Sequence, residues 1–221
     1  MTYLLLVRHG QSTWNLERRI QGQTMAVPLT DLGRDQARRA AAEVARLVPP
    51  GTTVLASDQL RAWQTAEIVA AEIGATVRAE PRLREQSLGR MEGLTEAELV
   101  PEPTPEGVDI ADVRWGGGES LADVSVRLQD LLGSLATYEE VVLVSHELTL
   151  RVLLALLDGR THRDCDFDLP MPNGAVLQRH LDRDAGLQKT QVRRLLDAHG
   201  EMEGQAETRW LRDQQLADEG R

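Results

Sequence analysis

Tyr3-Leu4-Leu5-Leu6-Val7-Arg8-His9-Gly10 is a short apolar run that ends in two basic residues and a glycine. An unbroken apolar run of this length marks a strand covered on both faces, the environment of a parallel sheet between helices. The glycine predicts a turn, so His9 stands at the strand's carboxyl end. Two further segments share this form: Thr53-Val54-Leu55-Ala56 stops at Ser57-Asp58, and Glu140-Val141-Val142-Leu143-Val144-Ser145 stops at His146. Helical patterns lie between them. Ala37, Ala40, Ala41, Val44, Ala45 and Val48 recur at helical spacing across about 31–48, with Thr30 as cap and Pro49-Pro50-Gly51 as terminator. Leu60 to Ile73 reads as a second helix, with Ser57-Asp58 as its capping chemistry and Arg61 in its first turn. Further helices are expected from Ser120 to about Ala136 and from Leu148 to Leu157.

Strands alternating with helices predict an α/β fold, a three-layer α/β/α sandwich around a largely parallel central sheet. Such sheets bind ligands at their carboxyl edge, where His9, Ser57 with the approach to Arg61, and His146 collect. A weaker strand is expected at 75–79, and a short helix at Thr95-Glu96-Ala97-Glu98 inside an irregular Pro/Glu/Gly-rich passage, 80–118. Segments 175–181 and 187–193 alternate around Asp182-Arg183-Asp184-Ala185-Gly186 and read as a hairpin. These elements make one domain over 1–197. The charged tail, 198–221, reads as an exposed helix anchored by Trp210 and Leu211 or as a disordered segment.

With 221 residues, 41% hydrophobic and 27% charged, the chain has the composition of a globular protein with a sizeable core. Lys+Arg 25 against Asp+Glu 35 gives a net charge of −10, which repels polyanions and argues against nucleic acid as a partner. A phosphate-bearing ligand must then be held by a local cluster of cations. Lys189 is the sole lysine, so almost every cation is a guanidinium suited to two-pronged phosphate contacts, although a codon bias toward arginine explains the count equally well. The single cysteine, Cys165, forms no internal disulfide, and the first residues lack a signal-peptide layout, so a cytoplasmic location is expected. No apolar stretch approaches the roughly 18 to 20 residues that span a bilayer.

A neutral imidazole is a good nucleophile toward phosphorus, and His9 has beside it a guanidinium, Arg8, that binds phosphoryl oxygens and disfavours imidazole protonation. Taken alone, a strand-end histidine is more often a hydrogen-bonded structural residue. Arg61 could equally be a surface ion-pair partner, Glu85 one solvated charge among Arg82, Arg84 and Arg90, and Asn15 with Ser12 mere turn residues. Their order in the chain overturns these readings. Arg8-His9-Gly10-Gln11-Ser12-Thr13-Trp14-Asn15 resembles the signature of the histidine phosphatase (phosphoglycerate mutase-like) superfamily. The resemblance continues through Gln21-Gly22, Pro28-Leu29-Thr30, Gly33, Ser57-Asp58, Arg61-Ala62, Gln64-Thr65-Ala66, Leu83-Arg84-Glu85, Gly117-Gly118-Glu119-Ser120 and Val144-Ser145-His146, covering roughly 2–180. It implies His9 as the phosphorylated nucleophile, with Arg8, Asn15, Arg61 and His146 as phosphate contacts. Glu85 then matches the general acid that protonates the leaving oxygen and later activates water.

The chain departs from that pattern at Glu147, where glycine commonly follows the second histidine. If the Glu147 N–H still faces the phosphoryl site, the helix start remains usable for an anion and the side chain swings outward, pairing with Arg151 on the helix surface. Gln11 replaces a commoner Glu, Met91 stands where an aromatic often precedes Glu-Gly, and the loop 23–27 lacks a frequent aspartate. His162, His180, His199 and Cys165 lie outside the matched motifs and read as structural or surface residues. Gly116-Gly117-Gly118 lacks the Lys-Ser/Thr of a P-loop and reads as a turn.

The resemblance thus implies a metal-independent, cofactor-free phosphatase of small phosphorylated metabolites. Residues 86–115 lack the Arg-Arg-Ser-Tyr and proline-rich stretch of the cofactor-dependent mutases, which favours hydrolysis over transfer. A mutase-type phosphotransferase and a non-catalytic phospho-ligand-binding protein stay open as alternatives. A metal hydrolase has no His-x-x-x-His or comparable ligand cluster to support it. A homodimer is compatible with the sequence, and neither a membrane nor a nucleic acid is implied as a partner.

Overall fold

In the computed structural model, residues 1–100 and 102–182 are described, together with the backbone of 193–195. Six strands form one sheet: β1 (Thr2–Arg8), β2 (Val54–Ala56), β3 (Val77–Ala79), β4 (Glu140–Ser145), β5 (Val176–Leu181) and β6 (Arg193–Leu195), in the order β3-β2-β4-β1-β5-β6. The first four run parallel to one another, and β5 is antiparallel to both β1 and β6. The expected hairpin is described in part: β5 pairs antiparallel with β6, of which Arg193 falls within the expected second strand, 187–193. Residues 183–192 and the expected tail, 198–221, lie outside the described residues.

Successive side chains of a strand point to opposite faces. Leu4, Leu6, Val141 and Leu143 face helices α4 (Leu121–Leu135) and α5 (Glu147–Leu157), while Leu5, Val7, Val142 and Val144 face α2 (Asp31–Leu47) and α3 (Leu60–Glu72). The sandwich has the three layers expected. Its layering follows from handedness: β1 to β2 moves one way across the sheet through α2, and β3 to β4 moves back through α4. Right-handed crossovers in opposite directions must use opposite faces.

Local signals set most helix starts. Thr30 Oγ1 accepts the Gly33 N–H at 3.0 Å, and Ser120 with Asp123 forms a capping box at the head of α4. Helix α3 differs from expectation. Its cap residue is Gln59, whose side chain makes no cap bond and instead meets Glu85 N and Gly22 O; Ser57 Oγ accepts the Gln59 N–H at 3.3 Å and also lies 2.8 Å from His146 Nε2, and Asp58 accepts from Arg84 Nε at 2.7 Å. Segment 80–118 also departs from the single short helix expected. Its described residues include four one-turn 3-10 helices, Pro81–Leu83, Gly89–Met91, Glu96–Glu98 and Ile110–Asp112, and a turn at Trp115–Gly117 broken by Gly116 at φ 61°. Side chains from elsewhere hold this passage to the sandwich. Arg127 donates to Arg82 O and Glu85 O, and Glu119 accepts from Ser87 N–H.

The turn after His9 packs directly on the first turn of α2. A Cβ on Gly10 would lie 2.1 Å from Gly33 O, and one on Gly33 would lie 2.0 Å from Gln11 O. Both positions require glycine because backbone meets backbone there. We expect Gly33→Ala to lower unfolding free energy by about 1–3 kcal/mol, read as a shift in urea midpoint at constant slope. An unchanged midpoint would contradict the close approach.

Candidate active site

The register of the parallel strands assembles the site. Arg8 is opposite Ser145 and Ala56 is opposite Val144, so the residues that follow, His9, His146 and Ser57, emerge side by side at the carboxyl edge. Backbone bonds extend this order past the strands, from His9 N to Ser145 O and from Ser57 N to Val144 O, each 3.0 Å. The His9 and His146 rings meet edge to face with centroids 5.0 Å apart. Both are buried.

His9 is fixed from three sides. Its Nδ1 lies 2.7 Å from Gly10 O, an arrangement that puts the ring proton on Nδ1 and the lone pair on Nε2. Its carbonyl accepts from Asn173 Nδ2 and Gly174 N, each at 3.1 Å, and the next N–H, that of Gly10, donates to Thr65 Oγ1 at 3.1 Å. Burial, followed by the Arg61 and Arg8 guanidiniums, drives the His9 pKa well below the ordinary imidazole value. His146 is lowered by the same burial, then by Arg61 and by His9 itself.

Arg61 extends from the first turn of α3 and donates to Gly22 O at 2.9 Å and Thr24 O at 3.0 Å. Its charge reaches His9, His146 and Glu85 alike. Glu85 is buried, and its carboxylate sits on the start of α5. It accepts from Thr149 N at 3.1 Å, Thr149 Oγ1 at 3.0 Å, Leu148 N at 3.3 Å and Gln86 N at 3.0 Å. Burial still raises its pKa, because these bonds and Arg61 only partly offset the lost hydration. Burial thus favours the protonated form of this carboxyl and the neutral form of the imidazoles beside it. Such opposed shifts are the arrangement that acid–base chemistry at one site requires.

Arg8, His9, Arg61, Glu85, His146 and Glu147 are all buried in this region. Asn15 is placed differently. Its Oδ1 accepts from Ser12 N at 2.9 Å and Ser12 Oγ at 3.0 Å, forming the capping box of the short helix α1 (Thr13–Leu16). The surface pair expected between Glu147 and Arg151 is corrected. The two do pair, Arg151 NH2 to Glu147 Oε1 at 2.7 Å, but both are buried, and Glu147 Oε2 also lies 3.0 Å from Arg8 NH1. Adjacent cations pull this carboxylate in.

The sequence places Ser57 at the ligand-binding edge but gives it no role beyond capping, and it singles out neither Gln59 nor Thr149. Gln59 Oε1 accepts the Glu85 N–H at 2.7 Å, and Thr149, three residues past His146, belongs to the helix turn that binds Glu85. Position in the first turn of a helix starting at the sheet edge was the available signal for both Gln59 and Thr149.

The family model described as histidine phosphatase superfamily (branch 1) matches residues 4–194. The chain belongs to that superfamily. Among curated relatives, "Probable phosphoglycerate mutase GpmB" of Enterobacter sp. (strain 638) is 40% identical over 168 residues, 72% of this chain and 76% of the relative. Its namesake in Yersinia enterocolitica serotype O:8 / biotype 1B is 37% identical over 167 residues with the same coverage. A solved mycobacterial glucosyl-3-phosphoglycerate phosphatase in complex with VO3 superposes with a TM-score of 0.75 at 29% identity, over 87% of this chain and 97% of that one. The protein described as mycobacterial hydrolase 1 gives a TM-score of 0.72 at 29% identity, over 89% and 98%. In this histidine phosphatase fold, as in the sequence reading, the sheet is phosphoglycerate mutase-like. No helix among the described residues is long and apolar enough to cross a membrane.

The buried imidazoles link stability to pH. Their folded pKa values lie below the unfolded value of 6.5, so the unfolded chain binds more protons and stability falls as pH drops through 6.5. Glu85, raised above its unfolded value of 4.5, works in the opposite sense: its contribution is fully present below 4.5 and is lost as pH rises through its folded pKa. His146→Gln removes one imidazole, so this variant should lose less stability than wild type between about pH 7.5 and about pH 5.5. The difference should approach about 1.4 kcal/mol per pH unit near the acid end. Parallel urea titrations would check it, and equal slopes would mean His146 protonates in the folded state as readily as in the unfolded one.

Proposed function

We propose that the protein is a metal-independent phosphatase of small phosphate monoesters that works through phosphohistidine on His9. The observation that carries this reading is the His9 imidazole itself: neutral by burial, with Nδ1–H held by Gly10 O and Nε2 as the basic nitrogen. Nε2 attacks phosphorus, the ester P–O bond breaks, and Glu85 gives its proton to the leaving oxygen. Water then attacks the phosphohistidine, Glu85 takes the water proton, and the P–N bond breaks to release orthophosphate and His9. Arg8 and Arg61 neutralise the equatorial oxygens and the neutral His146 offers a ring hydrogen bond, which is most of what phosphoryl transfer asks of a protein. The Asn15 amide Nδ2 and the Glu147 N–H at the head of α5 are proposed as further phosphate contacts.

Hydrolysis is favoured by the segment 86–115, which lacks the Arg-Arg-Ser-Tyr and proline-rich stretch of the cofactor-dependent mutases. The phosphatase named in the structural comparison points the same way. A mutase-type transfer is the second reading, supported by the names of the curated relatives. Among the described residues no group of three His, Cys, Asp or Glu side chains could hold a metal ion.

The purified protein should hydrolyse an aryl phosphate in excess chelator and leave an acid-labile, alkali-stable phosphate on wild type but not on His9→Ala. Predominant transfer between two phosphoglycerates would establish the mutase instead, and a protein that binds phosphate without turnover would establish the binder. Glu85→Gln should slow alkyl phosphates at least about 100-fold and activated aryl phosphates far less, since only the former need a proton on the leaving oxygen. Because the Glu85 pKa is raised, the alkyl-phosphate rate of wild type should fall toward alkaline pH as that acid ionises, starting above the usual carboxyl range. Equal losses on both substrates would remove Glu85 from the acid role.

A further inference from the structure

Behind the proposed phosphate pocket lies a buried row of alternating charges. Arg8, Glu147 and Arg151 are 1%, 1% and 4% exposed. Glu147 Oε2 is 3.0 Å from Arg8 NH1, and Glu147 Oε1 accepts from Arg151 NH2 at 2.7 Å and Nε at 3.2 Å. Each outer guanidinium also donates to a backbone carbonyl of the 166–171 loop. Arg8 NH1 donates to Met171 O, while Arg151 NH1 donates to Asp166 O and, at 3.0 Å, to Leu169 O. The Arg151 guanidinium also lies over the Phe167 ring, 5.8 Å from its centroid. The 166–171 loop thus clamps both ends of the row.

A carboxylate next to a phosphate-binding arginine is unfavourable by itself, because it cancels that cation and repels the dianion. Arg151 supplies the compensating charge: two guanidiniums and one carboxylate sum to +1, the charge Arg8 would carry alone. We propose that Glu147 and Arg151 act together as a charge-setting pair for the phosphate pocket, Glu147 holding Arg8 in position and Arg151 preventing Glu147 from repelling the ligand. Arg151 is then a positioning residue that never touches substrate. This inference rests on the reading of Arg8 as a phosphate contact.

The test measures orthophosphate affinity by calorimetry and KM for an aryl phosphate, with unfolding midpoints recorded for every variant. Arg151→Met leaves the row at zero net charge and should weaken orthophosphate binding and raise KM about 3- to 10-fold, the size of one partly screened charge at this range. Glu147→Gln leaves it at +2 and should tighten orthophosphate by a similar factor, seen also as stronger product inhibition. The double variant Glu147→Gln/Arg151→Met should return within about twofold of wild type, as should Arg151→Lys, which keeps the charge and alters the geometry. A purely structural row predicts losses of the same sign in both single variants, tracking their unfolding midpoints, and that result overturns the proposal. Should Arg151→Met fail to fold, Glu147→Gln decides: tighter binding supports the pair, and unchanged or weaker binding overturns it. Wild type that neither binds orthophosphate nor hydrolyses the ester would instead overturn the functional reading beneath it.

Discussion

Arg8 and Arg61 are buried guanidinium groups, and a guanidinium cannot shed its proton to escape the cost of losing water. Much of the surrounding structure is a response to that constraint. Arg61 is received by the carbonyls of Gly22 and Thr24, which requires the 21–24 loop to fold back over the start of α3. Arg8 is received by Met171 O and by Glu147. Two imidazoles packed against these cations have one low-energy choice, the neutral form, and the carboxyl across from them is held by a helix start rather than by a cation alone. Imidazoles, guanidiniums and carboxyl are therefore one electrostatic arrangement and not three independent features.

Parallel strands are what bring these charges together. A parallel ladder ends all its strands on the same side, so one register between β1, β4 and β2 determines which residues meet at the edge. The contact of Gly10 with Gly33 then brings the backbone of α2 against the turn that bears His9, with no side chain between. Stiffness in that turn is useful for a nucleophile, because attack at phosphorus demands an aligned approach.

Most of the frame was legible before any coordinates. Unbroken apolar runs located β1, β2 and β4, Thr30 and Ser120 marked helix starts, and the ordered motifs named the residues that the structure buries together. Three things were not legible. Ser57 accepts a backbone N–H at the start of α3 as its local chemistry suggests, but its second contact, with His146 from 89 residues away, has no local signal. Segment 80–118 has no hydrophobic period because its turns are held by Arg127, Glu119 and Glu92, which lie outside each turn they stabilise. Glu147 looked like a surface residue because helical spacing gives its pairing with Arg151 but not its depth, which depends on where the 166–169 loop passes.

Glu85 is bonded to the first turn of α5, and the residue capping that helix is His146. Both groups therefore meet at one helix start, and the residue before that cap, Ser145, accepts the His9 N–H. Gln59 Oε1, at the cap position of α3, in turn accepts the Glu85 N–H. Two helix starts thus share the placement of one carboxyl, so a substitution that shifts the start of either helix would move Glu85 relative to both rings.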